Sequence, residues 1–131
     1  MNKDIDILAR TIYGEARGET TEGQLAVGLV ILNRYRSNKW FAGNTIAETC
    51  LKAKQFSCWN LDDPNCEKIK TAGEKELKKY WKMAESLLKG DFADITNGAT
   101  HYHTKQIKPS WSKGKMPCAE IGNHLFYKNI D

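Results

Sequence analysis

Eight consecutive residues, Leu25 to Leu32 (LAVGLVIL), are apolar with no polar interruption. A helix apolar on every side has no face to turn toward water, so it must run through the middle of the protein with other elements around it. Gly28 at its centre marks a place where a neighbour comes close. Thr21-Glu22-Gly23-Gln24 reads as a capping box that starts this helix, and Asn33 and Arg34 are expected to return it to the surface. The chain is therefore organised around one buried helix inside the segment from Ala9 to Arg36.

The stretch before it is a conventional amphipathic helix. Asp4 can cap it, and from Ile5 the apolar residues Leu8, Ala9, Ile12 and Ala16 recur at spacings of three and four, which places them on one face. Glu15 falls on the edge of that stripe, where core meets surface. Apolar surroundings disfavour a charged carboxylate and so favour the neutral, proton-donating form that a general acid needs. The competing reading is a helix-end glutamate paired with Arg10 or Arg17. Gly18 is placed to end the helix as its C′ residue.

The rest of the chain supports a mainly α, α+β protein. With 131 residues, 40% of them hydrophobic, it suits a single domain spanning 1–131. Residues 37–44 read as a loop with exposed Trp40 and Phe41, followed by a short helix near 45–54. Lys68 to Lys89 has the plainest helical period, with Leu77, Tyr80, Trp81, Ala84, Leu87 and Leu88 on one face and Gly90 as its stop. Trp81 is read as core. The last forty residues, rich in glycine, histidine and aromatics, suit a small β-hairpin region with long loops.

Net charge is +4 and the basic residues are interleaved with glutamates. That balance favours an anionic partner without indicating nucleic acid, and no apolar run reaches the roughly 18 residues of a membrane span. The expectation is a monomer without stable membrane association. MNKDIDILAR lacks the apolar core of a secretory signal, so a protein made in the cytoplasm and released by another agent is expected. Cys50, Cys58, Cys66 and Cys118 show no C-x-x-C spacing; free thiols are favoured, with one bridge as the alternative.

Several residues could carry chemistry. Glu19, just past Glu15, could orient it or act as a second acid/base group, but no well-spaced carboxylate pair announces a two-acid glycosidase. Gln55, Ser57, Trp59 and Asn60 lie in an irregular segment, as do Lys105 and Trp111. Aromatic faces flanked by amides suit sugar rings, and core filling is the competing account. In THYHT, His101 and His103 flank Tyr102 and would face one way on a strand, about 7 Å apart. With His124, and Cys118 as a fourth ligand, they make a zinc site conceivable, against a majority reading of polar cleft or structural residues. The expectation is no metal and no other cofactor.

Taken as an ordered set, ARTIYGEARGE, EGQLAVGLVILNR, QFSCWN, GATHYHT, PSW and IGNHLFY resemble the cell-wall hydrolase family that includes spore-cortex-lytic enzymes and a group of bacteriophage endolysins. The resemblance runs from about residue 7 to 127. It implies a lysozyme-like domain in which the first glutamate of the GEARGE-type motif, Glu15 here, is the catalytic acid. The bond cut would be that between N-acetylmuramic acid and N-acetylglucosamine in the glycan strand of peptidoglycan. It also implies that QFSCWN and GATHYHT line a cleft, with Gln55, Ser57, Trp59, Asn60, Tyr102 and His103 as substrate contacts. Similarity to lytic transglycosylases implies a single acid/base, with Glu19 keeping a hydrolytic outcome open. A bare catalytic domain looks like a phage or prophage endolysin released through holin pores and acting on vegetative wall. Two alternatives from other classes are a zinc amidase or endopeptidase built on His101, His103 and His124, and a wall-binding module without activity.

Overall fold

The computed structural model describes residues 2–52 and 55–130. Five helices precede a three-stranded sheet: α1 (Lys3–Ala16), α2 (Thr21–Ser37), α3 (Ile46–Leu51), α4 (Pro64–Thr71), α5 (Glu74–Lys89), then β1 (His101–Thr104), β2 (Ala119–Ile121) and β3 (His124–Tyr127). The sheet is antiparallel in the order β1-β3-β2. The architecture is the expected mainly helical α+β one. Among the described residues no helix is long and apolar enough to cross a membrane.

Helix α2 lies between two hydrophobic clusters. On one side Val27, Ile31 and Leu32 join Leu8 and Ile12 of α1 and Leu77, Ala84 and Leu87 of α5. On the other, Ala26 and Val30 pack on Ala99, Ile121 and Phe126 of the sheet region. Two clusters on opposite flanks are why the run is apolar all round, each fully buried aliphatic contributing about 1.5–3 kcal/mol. Gly28 is the close approach expected of it: a Cβ there would collide with the Leu87 side chain and come within 3.1 Å of Ile12.

The helix ends differ from expectation by short shifts with clear causes. Asn2 caps α1, its Oδ1 accepting from Asp4 N at 2.7 Å, which leaves Asp4 to accept from Ala47 N at 2.9 Å in the first turn of α3, whose own cap is Thr45. Thr20 rather than Thr21 caps α2. Gly18 is not left-handed; α1 ends at Ala16 with Arg17 as its C-cap, and buried Gln24 donates to the carbonyls of Ala16 and Glu19. The expected Lys68–Lys89 helix is two helices, because Gly73 caps a new one and Glu76 reaches back to its N–H at 2.9 Å. The expected helix near 45–54 runs Ile46–Leu51, and residues 53 and 54 lie outside the described set. Phe41 is fully buried while its neighbour Trp40 is exposed, so only one of the two loop aromatics faces solvent. All four cysteines are free.

Candidate active site

Glu15 sits on the last turn of α1, and two structural devices bring the rest of the chain to it. The first is Gly14. A Cβ there would stand 2.9 Å from Cys58 Cβ and 3.0 Å from Ile69, so only glycine lets the 3-10 turn Ser57–Trp59 lie against α1. That contact delivers the backbone N–H of Cys58 to Glu15 Oε2 at 3.2 Å. The second device is the end of α2. Asn33 donates to Ala99 O at 2.9 Å, and Arg34 Nε donates to Thr100 O at 2.6 Å, which fixes the start of β1. From there Tyr102 reaches over, and its hydroxyl donates to the other carboxylate oxygen, Glu15 Oε1, at 2.8 Å.

Neither arginine neighbour competes for this carboxylate. Arg10 pairs with Asp6 and donates to the carbonyls of Ile69 and Ala72 at the end of α4, and Arg17 donates to Asn65. Glu15 instead opens onto a groove of about 470 Å³ that also presents Gln55, Ser57, Tyr102, His103 and Trp111. Among the described residues it is the only carboxylate in the groove wall. Burial, then the neighbouring Glu15, pushes the Tyr102 phenol well above its ordinary value, so it remains a proton-bearing donor.

Four of the expected site residues lie elsewhere. Trp59 does not line the groove; its Nε1 donates to Thr11 Oγ1 of α1 at 2.8 Å. Asn60 closes the 3-10 turn by bonding Ser57 O and does not line the groove. His101 is buried between Phe41 and Trp111, at 4.8 and 5.2 Å between ring centres. Burial and the nearby Arg34 push its imidazole down to about 4, which keeps it uncharged. Glu19 stands outside the groove wall, reaching it only through His124: its Oε1 is 3.8 Å from His124 Nδ1, beyond hydrogen-bond range.

The strand register also divides the zinc set. His101 and His103 do share one sheet face, as expected, but β3 pairs His124 with Thr104, which puts His124 with Tyr102 on the opposite face. Both nitrogens of His103 are engaged, Nδ1 with Thr104 O at 2.7 Å and Nε2 with Tyr127 Oη at 3.0 Å. Cys118 donates to Thr96 O in the sheet-side cluster. Among the described residues no three metal-ligating side chains converge.

Two basic groove residues escaped the sequence reading. Arg34, expected at the surface, is buried; its guanidinium lies over Phe56 at 4.7 Å and donates to Gln55 Oε1 at 3.0 Å. Burial lowers it to about 10, so it stays a cation at neutral pH beneath Glu15 and Tyr102. Its position was readable, since Arg34 follows Val27 and Val30 at helical spacings of seven and four, where the two buried flanks of α2 meet. His124, considered only as a conceivable third ligand in the zinc alternative, lines the groove with its ring edge-on to Tyr102, and burial lowers it against the opposing pull of Glu19 and Glu15.

Helices and sheet together thus hold one carboxylate, Glu15, between a phenol and a backbone N–H in the wall of an open groove. Residues 18–127 match the family model described as Cell Wall Hydrolase, and the chain belongs to that family. It is 56% identical over 126 residues to a spore cortex-lytic enzyme of Halalkalibacterium halodurans, covering 95% of this chain and 34% of that one. Spore cortex-lytic enzymes of Bacillus cereus and Bacillus subtilis are 41% and 30% identical, again over 95% of this chain, and over 44% and 37% of their own. The chain thus spans less than half the length of these relatives. No solved structure matches it.

Proposed function

We propose that this domain cuts the glycan strand of peptidoglycan at the bond between N-acetylmuramic acid and N-acetylglucosamine, with Glu15 as the acid/base. The observation that carries the reading is the isolation of Glu15 as the sole carboxylate of the groove wall among the described residues. A two-carboxylate glycosidase needs its pair about 5–9.5 Å apart across the bond. A lytic transglycosylase needs only one: the carboxyl protonates the leaving glycosidic oxygen, then accepts the proton of the muramic 6-hydroxyl as that oxygen closes on its own C1. Tyr102 and the Cys58 N–H hold the carboxylate in place through both steps. Gln55, Ser57 and Trp111 offer amide, hydroxyl and ring to the sugars.

The experiment is Glu15→Gln assayed on purified wall with mass analysis of the soluble fragments. Loss of about 10²–10⁴-fold in rate is expected in a folded variant, and wild-type products should weigh one water less than hydrolysed ones. Near wild-type clearing by the variant would sink the assignment. Where the chemistry is used is a separate matter: the relatives' names favour spore cortex, whereas an endolysin released after synthesis would prefer vegetative wall. Parallel assays on the two materials distinguish them.

A further inference from the structure

A second depression, of about 430 Å³, opens beside the groove beneath the 105–114 loop, and the two share His103, Ile107 and Pro109 in their walls. Its floor is apolar, formed by Leu125 and Tyr127 on the sheet face opposite Tyr102, with Ile107 standing 54% exposed at its side. Its rim is cationic. From residue 105 to 116 the sequence is KQIKPSWSKGKM, with four lysines and no carboxylate. Lys105 is held by Glu120 at 2.6 Å, but among the described residues Lys108 and Lys113 form no ion pair.

An apolar floor ringed by cations fits a ligand that alternates methyl groups with carboxylates. A bare sugar strand has no negative charge to offer beyond isolated groups, and a phosphate polymer would bring no apolar group to the half-buried Leu125 and the exposed Ile107. The acidic stem peptide of peptidoglycan, joined to muramic acid through its lactyl ether and built of alanine and dicarboxylic residues, has both features. We propose that this depression is a subsite for that peptide, so that the domain prefers peptide-bearing strands over stripped ones. The inference rests on the glycan reading of the adjoining groove, whose shared wall sets the two ligand parts side by side.

The test is binding by the full chain carrying Glu15→Gln, using soluble, uncross-linked, teichoic-acid-free glycan strands with stem peptides, and the same strands after amidase treatment. A preference of about tenfold for peptide-bearing strands is expected, falling toward one when Lys108→Gln and Lys113→Gln are added, as weak exposed charge pairs summed with apolar contact predict. Both lysines are exposed on a loop, and circular dichroism checks that the variant is folded. Equal affinity for the two strands overturns the proposal, as does a preference the lysine changes do not move. So does an effect of the lysines seen only on walls carrying anionic phosphate polymer. Preference without any cleavage by the unsubstituted protein would support the subsite while removing the glycosidase reading.

Discussion

The Tyr102 hydroxyl donates to Glu15 Oε1 at 2.8 Å across 87 residues of sequence, and it joins the sheet to the last turn of the first helix at that carboxylate. Removing that proton donor while keeping the ring isolates its role. Tyr102→Phe preserves packing on Phe126 and His124, so its loss of stability should be confined to that one hydrogen bond, about 1.5–3 kcal/mol, and leave the protein folded. A hydrogen bond to a carboxylate contributes about 1.5–3 kcal/mol, so kcat should fall roughly tenfold to a hundredfold. Unchanged turnover in steady-state digestion of soluble strands would show that the phenol is only structural.

Gly14 separates close packing from simple glycine flexibility. Gly14→Ala places a methyl 2.9 Å from Cys58 Cβ and should cost about 1–3 kcal/mol while pushing the Cys58 N–H away from Glu15. Gly18→Ala, with nothing within 4 Å and no positive φ, is the control and should be neutral or stabilising by up to about 1 kcal/mol. Urea unfolding of the two variants checks the contrast; equal effects would mean the 3-10 turn yields freely.

What the sequence made legible follows from how local each cause is. The LAVGLVIL run declared a buried helix and Gly28 a close contact because periodicity and size act within a few residues, and Glu15 at the edge of a stripe was visible for the same reason. Trp59 and His101 were misplaced because an indole at a groove edge and one bonded to Thr11 look alike until the fold puts a partner 48 residues away. The His101, His103 and His124 set failed on register: which face His124 takes depends on its pairing with Thr104, and nothing near residue 124 encodes that pairing. Arg34 shows the opposite error, a stripe position overlooked because arginine is ordinarily at the surface.

His101 makes a prediction about acid stability. Its ordinary value is 6.5 and the folded protein holds it down to about 4. Above pH 6.5 neither state is protonated there; below it the unfolded chain takes up a proton that the folded one refuses until about pH 4. Stability is therefore fully present above 6.5 and is lost as pH falls through that window, by on the order of 2 kcal/mol from this residue. His124, also lowered by burial, adds to the loss with the same sign. Chemical denaturation at pH 7 and pH 4.5 should show a smaller difference for His101→Gln than for the parent chain. An equal difference would assign the acid sensitivity to other groups, His124 and the carboxylates among them.

Glu19 decides between one-acid and two-acid chemistry. Its carboxylate meets the groove only through His124, at 3.8 Å, so it acts as an electrostatic neighbour that raises an imidazole which burial lowers more strongly. Glu19→Gln removes that opposing pull and should leave His124 still more firmly neutral. If Glu15 works alone, the variant keeps its activity within about tenfold at pH 7, a loss on the scale of one displaced neighbour and well short of the 10²–10⁴-fold of a missing acid. It should also keep yielding fragments one water lighter than hydrolysed ones. A folded Glu19→Gln protein as inactive as Glu15→Gln would make Glu19 a partner in bond cleavage, and the nucleophile would then be water, activated through His124, in place of the muramic hydroxyl.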